Sequence, residues 1–138
     1  MEKYTKEFDK WNICKKEINN NETIRLYKER EIWWASVGVN VGYEEDGKNN
    51  NYVRPVLIIR KFNRMLFLGI PMSTRIKDNK YYYNICIKGK TVSLLLSQIK
   101  VFSSKRLLNR HTIVNKNEYK KIIDYRSNGQ NVWLKSCV

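Results

Sequence analysis

Apolar residues recur at steps of three and four near the start of the chain, then give way to short runs and alternations. Tyr4, Phe8, Trp11, Cys14 and Ile18 form one stripe of a helix predicted over residues 2–18, and Asn19-Asn20-Asn21 marks its end. The stripe has two readings: it packs on the domain's own sheet, or it serves a partner or a second protomer. Residues 32–41 form a strand interrupted at Gly38 that continues into irregular chain, and residues 42–51 form a loop of Gly, Asn and acidic residues. Two central strands follow over residues 53–60 and 64–70, joined by the turn Lys61-Phe62-Asn63, and the second stops at Pro71. Residues 75–80 are a basic loop, and residues 81–88 alternate as a half-buried strand does. Residues 91–102 supply one more strand, with Leu94-Leu95-Leu96 at its centre. Ser103 or Ser104 is placed to cap a short helix over 106–109, and residues 110–114 read as a last short strand. Asn115 and Glu118 have capping-box spacing for a helix over 119–125. Trp133 and Leu134 in the tail are expected to dock on the core.

Several short strands with few helices predict an α+β, mainly β domain built on a small, twisted, partly closed sheet. A parallel α/β fold is disfavoured, because no crossover helices separate the central strands. At 138 residues the chain is long enough for one real core. We read residues 1–28 as a helical extension and 29–138 as the domain proper.

Charge changes the picture more than composition does. The formal net charge is +14, and residues 61–138 carry sixteen basic side chains against three acidic ones. A positive half-molecule attracts polyanions. The three cysteines, Cys14, Cys86 and Cys137, are odd in number and form no CxxC, which fits a reducing compartment. Charged residues crowd the first ten positions, unlike a signal peptide, and no apolar run approaches the ~20 residues of a membrane span. A cytoplasmic protein with no membrane association is the expectation.

The chemistry open to this composition is narrow. A single histidine, His111, leaves no two-histidine ribonuclease and no histidine metal cluster, and neither a P-loop nor a GxGxxG occurs. What stands out is Arg54, at the start of one buried strand, with Ser73 and Thr74 at the end of the next. If those strands pair as a hairpin, the cation and the hydroxyls share one end of the sheet. A guanidinium grips two phosphate oxygens and stabilises charge that builds on them, and RNA brings its own nucleophile, the 2′-hydroxyl. Such a site needs neither metal nor cofactor. The same arginine before a proline also has a purely structural reading.

At these residues the chain resembles the MazF/PemK family of toxin endoribonucleases from type II toxin–antitoxin pairs. Glu31-Ile32-Trp33-Trp34 resembles the family's opening strand, and Val41-Gly42-Tyr43-Glu44-Glu45 its Gly-Ser-Glu-Gln loop. Val53-Arg54-Pro55-Val56-Leu57-Ile58-Ile59 is similar to the Arg-Pro-Val-Leu-Val strand, and Ile70-Pro71-Met72-Ser73-Thr74 to the Pro-x-Thr segment. Leu95-Leu96-Ser97-Gln98-Ile99-Lys100 with Ser104-Lys105-Arg106-Leu107 resembles the Leu-x-x-Gln-Ile-Arg…Lys-Arg-Leu stretch. The resemblance implies an SH3-like, partly open antiparallel barrel, here with an added N-terminal helix and a C-terminal helix.

By the same resemblance Arg54 is the catalytic arginine, Ser73 stands where the family has its catalytic threonine, and Thr74 follows as an alternative hydroxyl. Glu44 matches the loop's acidic residue, and Gln98 a position near the RNA groove. With the basic and aromatic residues around them, the expected RNA contacts are Trp33, Tyr43, Lys48, Arg75, Lys77, Tyr81 and Gln98. The implied activity is metal-independent cleavage of single-stranded RNA at short sequences, to a 2′,3′-cyclic phosphate and a 5′-hydroxyl. The implied partners are RNA, a second copy in a homodimer, and a cognate acidic antitoxin. The competing reading is a non-enzymatic toxin on the same fold that binds nucleic acid or a topoisomerase.

Overall fold

The apolar runs at the centre of the chain are buried on both sides. In the computed structural model, which describes residues 5–49 and 51–127, Val56 and Ile58 enter one core while Leu57 and Ile59 enter another. A strand covered on both faces needs no alternation, so its sequence is a continuous run. It is one of seven strands: β1 (Glu31–Ser36), β2 (Val53–Lys61), β3 (Leu66–Ser73), β4 (Tyr82–Ile87), β5 (Lys90–Leu95), β6 (Lys100–Ser103) and β7 (Leu107–Ile113). They form an antiparallel sheet in the order β4-β5-β3-β2-β1-β7, with β6 paired to β3. Helix α1 (Phe8–Asn20) precedes the sheet and α2 (Lys116–Ser127) follows it. The chain is α+β, mainly β, with an open, curled sheet.

β3 is the strand that makes the sheet curl. Its first half pairs with β6, from Leu66↔Ser103 to Gly69↔Lys100, and its end pairs with β5 at Met72↔Leu94 and Ser73↔Ser93. The predicted stop at Pro71 is therefore corrected. Pro71 lies inside β3, opposite Val56 of β2, where the strand passes from one neighbour to the other. A residue without an N–H is tolerated where the ladder is interrupted. Gly69 sits in the same stretch because a Cβ there would come 2.7 Å from Val56 Cγ1 and 2.9 Å from Phe67 Cε2. Register shifts in β1–β7 and β2–β3 add bend and twist. Lys88 Nζ donates to the His111 carbonyl at 3.0 Å, tying the β4–β5 turn to β7 across the open side.

Two further expectations are corrected. Residues 91–102 are two strands, β5 and β6, separated by a 3-10 turn at Leu96–Gln98. Leu96 stays buried through the turn, so nothing in the apolar pattern betrays the break. The helix expected over 106–109 is a single 3-10 turn, Ser104–Arg106, capped by Ser103 Oγ, which accepts from the Lys105 N–H at 3.2 Å. Asn109 and Arg110 then pair with Trp34 and Trp33 of β1, and the edge of the sheet overrides local preference. Asn115 does cap α2, accepting the Glu118 N–H at 2.8 Å. Ile122 of α2 plugs the core, while Tyr119 hydrogen-bonds the Ile59 carbonyl, and burial pushes its hydroxyl up to about 12. The docking expected of Trp133 and Leu134 lies outside the described residues.

Between α1 and β1 the chain is pinned at Tyr27. Its ring is 1% exposed, packs on Phe67 at 5.2 Å between centroids, and its hydroxyl donates to the carbonyls of Asn63 and Leu66. In α1 itself, Trp11 is buried and Cys14 and Ile18 are half-buried, while Phe8 remains 48% exposed. Among its described residues the stripe thus packs on the domain chiefly through its tryptophan, and Tyr4 lies outside the described residues.

Candidate phosphate site at the end of the sheet

β2 and β3 pair antiparallel with Val56 opposite Pro71, which sets Arg54 across from Ser73 at the same end of the hairpin. Arg54 is anchored on three sides. Its Nε donates to the Asp46 carbonyl, its Nη1 to the Met72 carbonyl at 3.4 Å, and its Nη2 forms an ion pair with the Glu45 carboxylate. The side chain is 11% exposed and that of Glu45 26%. Burial lowers the Arg54 pKa, the Glu45 and Asp46 charges raise it, and Arg75 lowers it further. From its ordinary value a guanidinium remains a cation throughout this range.

The guanidinium and the hydroxyls line one cavity of about 440 Å³. Lys48, Arg75 and Lys77 share it with Arg54, so four cations face a single carboxylate, Glu45. Ser73 Oγ accepts the Arg75 N–H at 3.1 Å, which orients the hydroxyl and leaves its proton available to a ligand oxygen. Thr74 is exposed and lines the same space. A second cavity of about 230 Å³ shares Lys48, Arg54, Ser73 and Thr74 and adds Trp34, Pro55 and Val92. A third, of about 290 Å³, continues past Trp34 to Lys88, Lys90 and His111. Together they make a trough with cations at both ends and an apolar stretch at Trp34, Pro55 and Val92.

The predicted contacts divide. Arg54, Ser73, Thr74, Lys48, Arg75 and Lys77 come together around one cavity. Tyr81 is exposed beside it, with Lys80 Nζ 5.1 Å from its ring, while Tyr82 lines the cavity under Lys77. Tyr43 stands fully exposed on its loop. Trp33, expected at an RNA surface, lies in the core, 7% exposed, its indole donating to Glu31 Oε1 at 3.1 Å. The tryptophan that lines the trough is Trp34. Glu44 is exposed and lines a separate cavity of about 180 Å³, and the carboxylate against Arg54 is its neighbour Glu45. Gln98 is a loop anchor in the free chain: its Oε1 accepts the Glu45 N–H at 2.6 Å.

Glu45, Asp46 and Trp34 are the residues at the site to which the sequence assigned no role of their own. A cation starting a buried strand requires partners, and the acidic triplet Glu44-Glu45-Asp46 was the nearest source.

Residues 28–124 match the family model of PemK-like, MazF-like toxins of type II toxin–antitoxin systems. The chain belongs to this family. The toxin's α1 lies ahead of the matched segment. No curated protein sequence matches the chain at a significant level. A type II toxin has an antitoxin as its partner, and among the described residues no helix is long and apolar enough to cross a membrane.

Proposed function

We propose that the toxin is a metal-independent endoribonuclease that cuts single-stranded RNA, mRNA above all, by attack of the 2′-hydroxyl on the adjacent phosphorus. The observation that carries this reading is the shared cavity of Arg54 and Ser73, ringed by cations at the end of the β2–β3 hairpin. The 2′-oxygen bonds to phosphorus, the bond to the 5′-oxygen breaks, and the products are a 2′,3′-cyclic phosphate and a 5′-hydroxyl. Arg54 stabilises the charge on the phosphorane and Ser73 donates to a non-bridging oxygen. An arriving phosphate competes with Glu45 for the guanidinium, and the released carboxylate takes the 2′-proton. Water in the open cavity protonates the leaving oxygen.

Exposed bases find partners in Tyr82, Tyr81 and Trp34, and their phosphates in Lys48, Arg75 and Lys77. A homodimer would join two such troughs, and an acidic antitoxin segment would occupy them in place of RNA. The proposed setting is the cytoplasm.

One observation favours the non-enzymatic reading: every side of the Arg54 fork already meets protein, as it does in a structural arginine. Cleavage of single-stranded RNA by purified protein in EDTA, with cyclic-phosphate ends on the product, separates the two. Arg54→Ala should abolish that cleavage while the protein stays folded. Equal cutting by the variant and the wild type removes Arg54 from the mechanism.

A further inference from the structure

The loop that supplies Glu45 and Asp46 runs from residue 37 to residue 52, and its described residues have almost no regular structure. Loops of this length inside a small domain are usually functional, and they need tethers to hold one shape. Some tethers are internal. Gly47 N–H donates to the Gly38 carbonyl at 2.8 Å, Asn40 N–H to Asp46 Oδ1 at 2.7 Å, and Asn40 Nδ2 to the Glu45 carbonyl at 2.7 Å.

The others come from the N-terminal segment. Trp11 of α1 fills the space over Gly38, where a Cβ would overlap its indole, and packs edge-on against Tyr52 at 5.6 Å. Gly38 also sits at φ +84°, so both its backbone and its missing side chain suit the contact. The Arg106 guanidinium lies 5.9 Å from the centre of the indole and donates to the carbonyls of Ser36 and Val37 at the loop's first turn. Lys6 Nζ reaches the Asn40 carbonyl and pairs with Asp46 Oδ1 at 3.3 Å, both side chains being under one-fifth exposed. Tyr52 OH donates to Glu7 Oε2 at 3.4 Å at the loop's far end.

Asp46 is where the two systems meet. Its carboxylate is held by Lys6 and by the Asn40 N–H, and its carbonyl accepts from Arg54 Nε. We propose that α1 and the residues just ahead of it clamp the 37–52 loop, and that Lys6 and Trp11 are thereby positioning residues for the Arg54 site. The segment lies outside the stretch that matches the toxin family, so this is a device added to the family's fold. Its effect on cleavage rests on the ribonuclease reading, whereas its effect on the loop does not.

Two measurements on the full chain test the clamp: amide hydrogen exchange at Asn40 and Gly47, and steady-state cleavage. In Trp11→Ala and Lys6→Met the loop amides should exchange at least about tenfold faster while amides in β2 and β3 keep their protection. The same variants should lose about tenfold in kcat with KM changed less than about twofold, the pattern of a misplaced catalytic group. Lys6→Arg should restore wild-type behaviour, and Ile13→Ala, on the exposed side of α1, should leave both measurements unchanged. If Trp11→Ala unfolds, Lys6→Met alone decides. Unchanged loop exchange in Lys6→Met overturns the clamp, and faster exchange with unchanged kcat overturns the positioning role. If the wild type cuts no RNA, the ribonuclease reading fails, and exchange in the loop still decides whether the clamp exists.

Discussion

Glu45 sits on the guanidinium of Arg54, so the cation of the free toxin is already occupied by a carboxylate from a neighbouring loop. Both partners line the cavity and the carboxylate is the more exposed of the two, which leaves the pair open to exchange with a phosphate. The Arg54 backbone is fixed in β2, and the two carbonyls from Asp46 and Met72 hold the guanidinium in place when Glu45 leaves.

Glu45→Gln should therefore separate binding from chemistry. RNA should bind more tightly, by several-fold in KM, because phosphate no longer competes with a carboxylate. The chemical step should slow about a hundredfold, the usual size of a lost general base. Single-turnover cleavage with a short oligonucleotide measures both. An unchanged rate of chemistry assigns the 2′-proton to another group.

Ser73→Thr should cut at least as fast as the wild type, because it keeps the hydroxyl and restricts its rotamers. Ser73→Ala should lose about tenfold to a hundredfold, and Thr74→Ala much less, since only Ser73 is oriented by the Arg75 N–H. Equal losses at the two positions would show that the hydroxyls share the role.

Lys77 offers a test that leaves the fold alone. It is exposed, lines the cavity, and lies 5.4 Å from the Tyr82 ring. If it neutralises one phosphate, Lys77→Ala should reduce the slope of log binding constant against log salt by about 0.7, the value for one contact on a single strand. An unchanged slope places the RNA elsewhere.

Glu31 ties stability to pH. Burial alone raises its pKa, but hydrogen bonds from Trp33, the Lys28 N–H and Arg110, with the Arg110 charge, outweigh that and hold it below the ordinary carboxyl value. The folded state therefore gives up this proton more readily than the unfolded one. The stabilisation is complete above the unfolded value of about 4.3 and is lost as pH falls through the lower folded value. Thermal unfolding scanned from pH 7 to 3 should show this loss, and Glu31→Gln should flatten the acid limb. A parallel limb in the variant would assign the acid sensitivity to other carboxylates.

What the sequence made legible follows from where its constraints were strong. Arg54 and Ser73 bracket two buried runs, so their meeting needed only the assumption of a hairpin. Trp33 and Trp34 carried no such information. Both are large and apolar, the register shifts of β1 disturb strict alternation, and only packing decides which faces the core. Glu44 and Glu45 differ by one position on an irregular loop, where no periodicity says which side chain turns inward. The break after Leu95 is masked by three consecutive leucines, two ending β5 and the third opening the turn, all of them buried. The strand at Leu107–Ile113 reads as polar because it borrows its stability from β1 rather than from its own residues.

Tyr27 sets the limit to which the chain can be trimmed. The described residues ahead of it, including the exposed Ile24 and Leu26, lie outside the main cores, while removing the tyrosine itself would open a void beside Phe67 and take a donor from the Asn63 carbonyl. If α1 clamps the 37–52 loop, a protease cut between Asn21 and Leu26 that frees α1 should leave the sheet folded and the loop without its support. On the ribonuclease reading, such a cut would lower cleavage without unfolding the toxin, and without any antitoxin present.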